Sequence, residues 1–176
     1  MADLVSLVTD LLNPVTPPFT TFNFQVEIAV DGVSDVICAA VFSEVDGLEM
    51  TIEPKTIREG GRNTGPVHMA GTVGYGQLLL KRGMTANFDL WKWVEKTAAP
   101  GNGGLRGSAE IVMLAGDGSE QARFVLTGCL PTKVKAPSLN GKDGLIAIEE
   151  MSIVYESLTI RAPGFDVLGA VASALA

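Results

Sequence analysis

Histidine occurs once and cysteine twice in 176 residues, and that scarcity removes most site chemistry at the outset. His68 stands in a Gly-rich stretch with no cysteine or carboxylate cluster beside it. A nucleophilic triad would have to bring Ser or Cys to it from a distance. A zinc site needs three or four ligands, usually His and Cys, and one His with two separated Cys cannot supply an ordinary one. Cys38 and Cys129 lie in apolar runs without Cys-x-x-Cys spacing, so they read as small buried hydrophobes, and nothing supports a disulfide. Cations are also few: 13 Lys and Arg against 20 Asp and Glu leave a net charge of −7, which argues against general nucleic-acid binding. No apolar run approaches the roughly 20 residues of a membrane span, so no membrane anchor is expected. Asp3 stands where a signal peptide carries positive charge, so assembly is expected in the cytoplasm.

Glycine and apolar residues are plentiful. Hydrophobic residues make up 47%, which excludes disorder, and 20 glycines in so apolar a chain point to turns and bulges of a β protein. Leu4, Val5, Leu7, Val8, Leu11 and Leu12 recur at helical spacing up to Asn13-Pro14; this helix docks on its own domain or on a neighbour. Phe22, Phe24, Val26, Ile28 and Val30 alternate with Asn23, Gln25, Glu27 and Ala29, the cleanest strand pattern in the chain. A second strand covers 38–45, and Leu48, Met50 and Ile52 alternate after Asp46-Gly47. Residues 54–76 show no periodicity and are expected to form a long functional loop. Leu78 to Lys81 opens another strand.

Asn87 can cap a helix with Asp89 in its first turn and Lys96 in its last. Phe88, Leu90, Trp91, Trp93 and Val94 leave that helix little polar surface, so it must be covered on more than one side. Residues 108–115 and 122–130 read as a hairpin joined at Gly116-Asp117-Gly118-Ser119, and 133–143 as a second irregular segment. Residues 145–160 are strand-like, with a phase switch near Glu149-Glu150 that suggests a bulge or bend. The stretch after Pro163 is apolar and reads as a short helix. The sum is seven or eight strands and one central helix: mainly β, an antiparallel β-barrel or sandwich with one flanking α-helix.

Other chemistries fail on particulars. Gly71-Thr72-Val73-Gly74-Tyr75-Gly76 lacks the Lys-Ser/Thr of a P-loop and precedes its strand. Glu149 and Glu150 are adjacent strand residues and point to opposite faces, so they read as solvated or lumen-facing charges rather than a glycosidase pair. Trp91 and Trp93 read as helix packing, with a carbohydrate platform as the alternative.

Taken in order, residues 19–28, Val41-Phe42-Ser43-Glu44-Val45-Asp46-Gly47-Leu48, Glu59-Gly60-Gly61, Leu80-Lys81-Arg82-Gly83, Leu90-Trp91-Lys92-Trp93 and Ile148-Glu149 resemble the tail tube proteins of contractile phages. They resemble still more the inner tube proteins of extracellular contractile injection systems. The resemblance covers residues 17–162, leaving a helix and linker over 1–16 and an apolar extension over 163–176. It implies a fold related to the haemolysin-coregulated protein of type VI secretion and a structural, non-enzymatic subunit without cofactors. It further implies homohexameric rings stacked into a tube, with a contractile sheath, baseplate and cap proteins as partners, and cargo in the lumen. The particle would be assembled in the cytoplasm and could be released extracellularly. A phage tail tube conducting DNA and a monomeric β-barrel binding module or effector are the alternatives.

On that reading the loop over 54–76 makes contacts between rings or subunits through Arg58, Glu59, Gly60, Gly61, Arg62, His68 and Tyr75. Phe88, Trp91 and Trp93 pack the helix, and Glu27, on the wet face of the first strand, faces the lumen.

Overall fold

The computed structural model describes residues 18–31, 42–58, 60–61, 64–101, 104–142 and 144–163, with the backbone alone of 36–40. The helices expected over 4–12 and after Pro163, together with Glu59, Arg62 and the Cys38 side chain, lie outside the described residues.

Ten strands and one helix are described: β1 (Phe24–Val30), β2 (Val36–Ala40), β3 (Glu44–Asp46), β4 (Met50–Ile57), β5 (Val67–Tyr75), β6 (Gln77–Gly83), α1 (Asp89–Ala98), β7 (Gly107–Leu114), β8 (Glu120–Lys135), β9 (Ile148–Val154) and β10 (Ser157–Arg161). Eight strands form one antiparallel sheet: seven follow the path β2-β1-β7-β8-β9-β6-β3, and β10 pairs with β8 off that path. The path bends in the middle of β8. Its first half pairs with β7 and β10, its second half with β9. Gly128 sits at the bend with φ +64°, and a Cβ there would lie 2.6 Å from the Glu156 carboxylate. Only glycine meets both demands without strain. The outermost strands β2 and β3 are consecutive in the chain, so the chain itself spans the remaining seam. The two halves face each other as a barrel-like sandwich.

The period-two pattern of β1 is realised directly: Val26, Ile28 and Val30 are buried, while Gln25 and Ala29 face water. Their core partners are Ala109, Ile111 and Leu126 from β7 and β8, Leu78 and Leu80 from β6, and Met151 and Ile153 from β9. Leu90 and Trp93 of α1 join the same cluster. At about 25 cal/mol per Å² of apolar area, each fully buried Leu, Ile or Met stabilises by about 1.5–3 kcal/mol. Helix α1 starts at Asp89 with Phe88, not Asn87, at its N-cap position, yet the Asn87 Oδ1 accepts the Asp89 N–H at 2.9 Å. The 107–135 hairpin also forms, and Asp117 Oδ1 accepts both the N–H and the hydroxyl of Ser119 in its turn.

Three expectations are corrected. Residues 54–76 are no loop: most of them belong to β4 and β5, which form a separate two-stranded arm. All of β4 is exposed, and β5 is exposed save at its two ends. With both faces in water, neither strand needs the alternation that reveals a half-buried one. Pro54 is tolerated because β4 is an edge strand. Gly71 occupies the irregularity opposite Glu53, where a Cβ would lie 2.3 Å from the Glu53 carbonyl oxygen. Second, the bulge or bend expected near Glu149-Glu150 within the strand-like stretch 145–160 falls instead at Tyr155 and Glu156, between β9 and β10. The apparent phase switch arises because Ile146 and Ile148 face outward while charged Glu149 faces the core. Third, Phe88 precedes the helix and is 48% exposed, so it does not pack α1 against its own chain.

Candidate assembly surfaces

Buried charge occurs where β6, β9 and α1 meet. Arg82 follows Leu78 and Leu80 in inward phase on β6, and Glu149 precedes Met151 and Ile153 in the same phase on β9. The two residues are direct cross-strand partners. Arg82 is 3% exposed and Glu149 2%. Arg82 Nε donates to Glu149 Oε1 at 2.5 Å, and the Trp91 indole N–H donates to the other carboxylate oxygen at 2.8 Å. Arg82 Nη2 donates to the Asn87 carbonyl at 3.0 Å, and its guanidinium lies 5.9 Å from the Phe42 ring centroid. Burial without such partners would be prohibitive for either ion. The cluster ties the barrel to the helix, while the Trp93 indole N–H anchors the other side of α1 by donating to the Leu105 carbonyl at 3.1 Å. The expectation that Glu149 is solvated or faces a lumen is therefore wrong. The sequence reading puts Glu149 and Glu150 on opposite faces yet takes both as solvated or lumen-facing, although the phase that Glu149 shares with Met151 and Ile153 is visible in the sequence.

With Trp93 buried and Trp91 bonded to Glu149, the two tryptophans present no paired aromatic platform for a sugar.

The opposite, outer face of the same strands carries a row of alternating charge. Glu44 pairs with Lys81, Lys81 stands opposite Glu150, and Glu150 pairs with Lys135. The Glu44 carboxylate, hydrogen-bonded to Lys81, holds that ammonium above its ordinary value. On the other half of the barrel, Glu27 of β1 stands opposite Glu110 of β7. Like charges facing across strands repel. Arg123 relieves part of this by pairing with Glu110 and with Glu120, and it holds the Glu120 carboxyl below its usual range. Glu27, half-buried, accepts from the Gln25 amide at 3.1 Å. It thus lies on the face turned away from the core.

The arm is fixed at its root. Tyr155 directly follows β9; its hydroxyl accepts the Glu49 N–H at 3.0 Å and lies 2.9 Å from the carbonyls of Gly47 and Glu49. Gly47 has φ +85°, and a Cβ there would meet the Gln77 carbonyl at 1.9 Å, so the root admits no side chain at that point. Tyr75 packs its ring on Tyr155, centroids 5.6 Å apart. Among the sequence-expected contact residues, Tyr75 therefore belongs to the root. His68 is exposed along the arm, its Nδ1 3.3 Å from the Thr56 hydroxyl. Arg58, Gly60 and Gly61 lie at the exposed far end, with Gly61 at φ +90°. Cross-strand pairing places Met50, Ile52 and Pro54 on one face with Tyr75, Val73 and Ala70. That face is apolar and bare to water at Met50, Ile52 and Val73. Contiguous exposed apolar surface of this kind marks contact with another molecule.

Among the described residues no group of three or more His, Cys, Asp or Glu could hold a metal ion, and no helix is long and apolar enough to cross a membrane.

A model of the T4-like virus tail tube protein gp19 family matches residues 20–159. Among solved structures, a chain of the 6-fold symmetrised baseplate of the anti-feeding prophage is 19% identical with a TM-score of 0.73, over 86% of this chain and all of that one. A chain of the sheath-tube complex of PVC, an extracellular contractile injection system in its extended state, is 18% identical with a TM-score of 0.69, over 84% of this chain and 94% of that one. Hcp1 from Flavobacterium johnsoniae is 12% identical with a TM-score of 0.45, over 81% and 98%. No curated protein sequence matches the chain.

Proposed function

Because the chain belongs to the family of the T4-like virus tail tube protein gp19, we propose that it is the inner-tube subunit of a contractile injection system. Copies close into six-membered rings, the rings stack around a lumen that accommodates cargo, and a contracting sheath drives the tube forward. One observation carries this reading: the barrel leaves its assembly groups unsatisfied within one chain. Among the described residues, strand β2 pairs only with β1 and β10 only with β8, which leaves an edge of each without a described partner. Open edges invite strand pairing with another copy, and in a closed ring every such edge is covered. The arm adds an apolar face with no cover of its own.

Lateral contact through the open edges and axial contact through the arm, with Arg58, Glu59, Gly60, Gly61, Arg62 and His68 as its contact candidates and Tyr75 at its root, would build a tube. The subunit works mechanically and not as an enzyme. It is assembled in the cytoplasm and meets sheath, baseplate and cap proteins in the finished particle; the solved relatives come from such assemblies. Glu27 faces the lumen, where six copies would set a ring of negative charge against acidic cargo. Reversing it to lysine alters cargo retention and leaves assembly intact; loss of assembly, or intact tubes with unchanged retention, rejects the assignment. The phage family to which the chain belongs favours a second reading, a phage tail tube that conducts DNA. A DNA-filled capsid on the native particle would distinguish it.

Negative-stain microscopy of the purified protein tests the proposal. Rings and stacks with a central hole are expected. Replacing residues 51–74 by Asn-Gly, a two-residue hairpin turn, keeps the root and removes the arm. That variant stays folded and forms no stacks. A protein that remains a single copy at high concentration, and never occurs in sheathed particles, sinks the reading.

A further inference from the structure

The inner face of the barrel is bare beside β10. Strand register sets Ile160 opposite Phe124 of β8, and Leu158 opposite Leu126. These side chains share the core phase: Phe124 stands opposite the buried Ile111, and Ile111 opposite the buried Val26. Exposure nevertheless climbs along that phase. Leu126 is fully buried, Phe124 and Leu158 are half-buried, and Ile160 is 68% exposed. On β1 it climbs likewise, from fully buried Val26 to half-buried Phe24. Inward apolar side chains left in water forgo the stabilisation that burial brings, so the core is unfinished at this point.

The chain carries a cover for it. Strand β10 ends at Arg161, and the Pro163-Gly164 pair that follows is a turn signal. Residues 164–176, outside the described residues, contain one charged side chain, Asp166. At about 3.6 residues per turn their sequence puts Phe165, Leu168, Val171 and Leu175 on one side of a helix, and Asp166, Gly169, Ala170 and Ser173 on the other. Such a stripe needs an apolar surface to rest on. The dimensions agree. From β10 across β8 and β7 to β1 is about 14 Å at the usual strand spacing, and a helix over 165–175 is about 16 Å long. The few residues between Ile160 and Phe165 reach at most about 17 Å. So short a tether holds the segment at about millimolar effective concentration, ahead of any segment from another copy. It also lies beyond residue 159, where the family match stops.

We propose that residues 165–175 fold back in cis as a helix and close the core opening, with their apolar side on Ile160, Phe124 and Phe24. The closure does not depend on the tube reading: it completes the single subunit and removes an apolar patch that would otherwise attract other molecules.

The test is iodoacetamide labelling of Ile160→Cys in the full chain with Cys38→Ser, at concentrations where light scattering finds one copy. Cys129 is fully buried, and its silence reports an intact core. The introduced thiol is expected to react at least tenfold more slowly than one introduced by Gln25→Cys on the exposed side of β1. Leu168→Asp with Leu175→Asp should abolish that protection, whereas Ala170→Asp with Ser173→Asp, on the other side of the helix, should leave it. Leu168→Ala should weaken the protection, and it decides the matter if Cys129 labelling shows the inner aspartate pair to be unfolded. A thiol at 160 as reactive as the one at 25 overturns the closure. So does protection that survives Leu168→Ala, or that the outer aspartate pair removes as fully as the inner one. Protection that appears only as concentration rises assigns the cover to a second copy and overturns closure in cis. Absence of tubes would sink the tube reading and leave the closure standing.

Discussion

Glu149→Leu is the substitution whose cost can be worked out most completely. It leaves the Arg82 guanidinium buried with the Asn87 carbonyl and the Phe42 ring near it, and it takes from the Trp91 indole N–H its carboxylate acceptor. Breaking a buried ion pair by removing one partner costs about 3–5 kcal/mol. In a domain of this size 1 kcal/mol moves the unfolding midpoint by about 2–4 °C, so a fall of about 6–20 °C is expected. Removing both ions changes the sign of the argument. In Arg82→Met with Glu149→Leu no uncompensated charge remains; the Asn87 carbonyl and Trp91 N–H still lose partners, at about 1 kcal/mol or somewhat more each. The double variant should cost about 2 kcal/mol and be more stable than either single one.

Urea unfolding at concentrations where light scattering finds one copy is the appropriate assay, because assembly adds its own stabilisation. Glu149→Gln, which keeps one acceptor, should fall between wild type and Glu149→Leu and guards against outright misfolding of the latter. A single substitution costing less than about 1 kcal/mol, or a double variant less stable than both singles, refutes the view that this pair is a mutually dependent buried unit.

Three further expectations follow from individual groups. Tyr155→Phe removes the hydroxyl that holds Gly47 and Glu49, costing about 1–2 kcal/mol and speeding proteolysis within the arm; an unchanged midpoint and cleavage rate would count against the root described above. Cys129 is fully buried, and burial pushes its thiol up to about 11, so in a Cys38→Ser background iodoacetamide at pH 8 should modify it only in urea; rapid labelling of native protein contradicts this. Arg123 depresses the Glu120 carboxyl, whose stabilising effect is therefore fully present above its ordinary value of 4.5 and fades as pH falls through the lowered folded value. Glu120→Gln should flatten the loss of stability in that acid range, and an unaltered acid profile would reject the linkage.

What could be read from sequence was whatever water sees on one side only. Strand β1, the β7–β8 hairpin and α1 each bury one face, and their periods were plain. The arm buries neither, so its strands looked like loop. Glu149 hid for another reason: an ion on the inner face breaks the apolar phase, and the outward Ile146 and Ile148 supply a false one. The short motifs that suggested the family look unrelated when read singly. In space Arg82, Trp91, Glu149 and Phe42, drawn from four of those motifs, form a buried cluster that joins barrel to helix. Their chain order is the order of the elements that must converge there, which is why order and spacing carried more information than any motif alone.

The same contrast between one covered face and none bears on the arm's behaviour. A two-stranded hairpin is marginally stable in water without a third strand or a packed face. Among the described residues, strands β4 and β5 pair with each other and with no other strand, and within them only Val67 and Tyr75 are even half-buried. In the single subunit the arm's backbone hydrogen bonds should therefore open locally, at far lower cost than those of β8, which is paired on both sides. Seating on another copy would cover the stripe and link arm opening to release from the tube. Each tenfold slowing of amide exchange corresponds to about 1.4 kcal/mol, and a slowing of at least tenfold at residues 51–56 is expected on going from subunit to tube. Exchange at Tyr75 and Gly76, held by the root, should change less. Arm amides that are as well protected in the lone subunit as those of β8 would show that the hairpin is stable by itself, and the argument that it is built to be completed by a second molecule would fail.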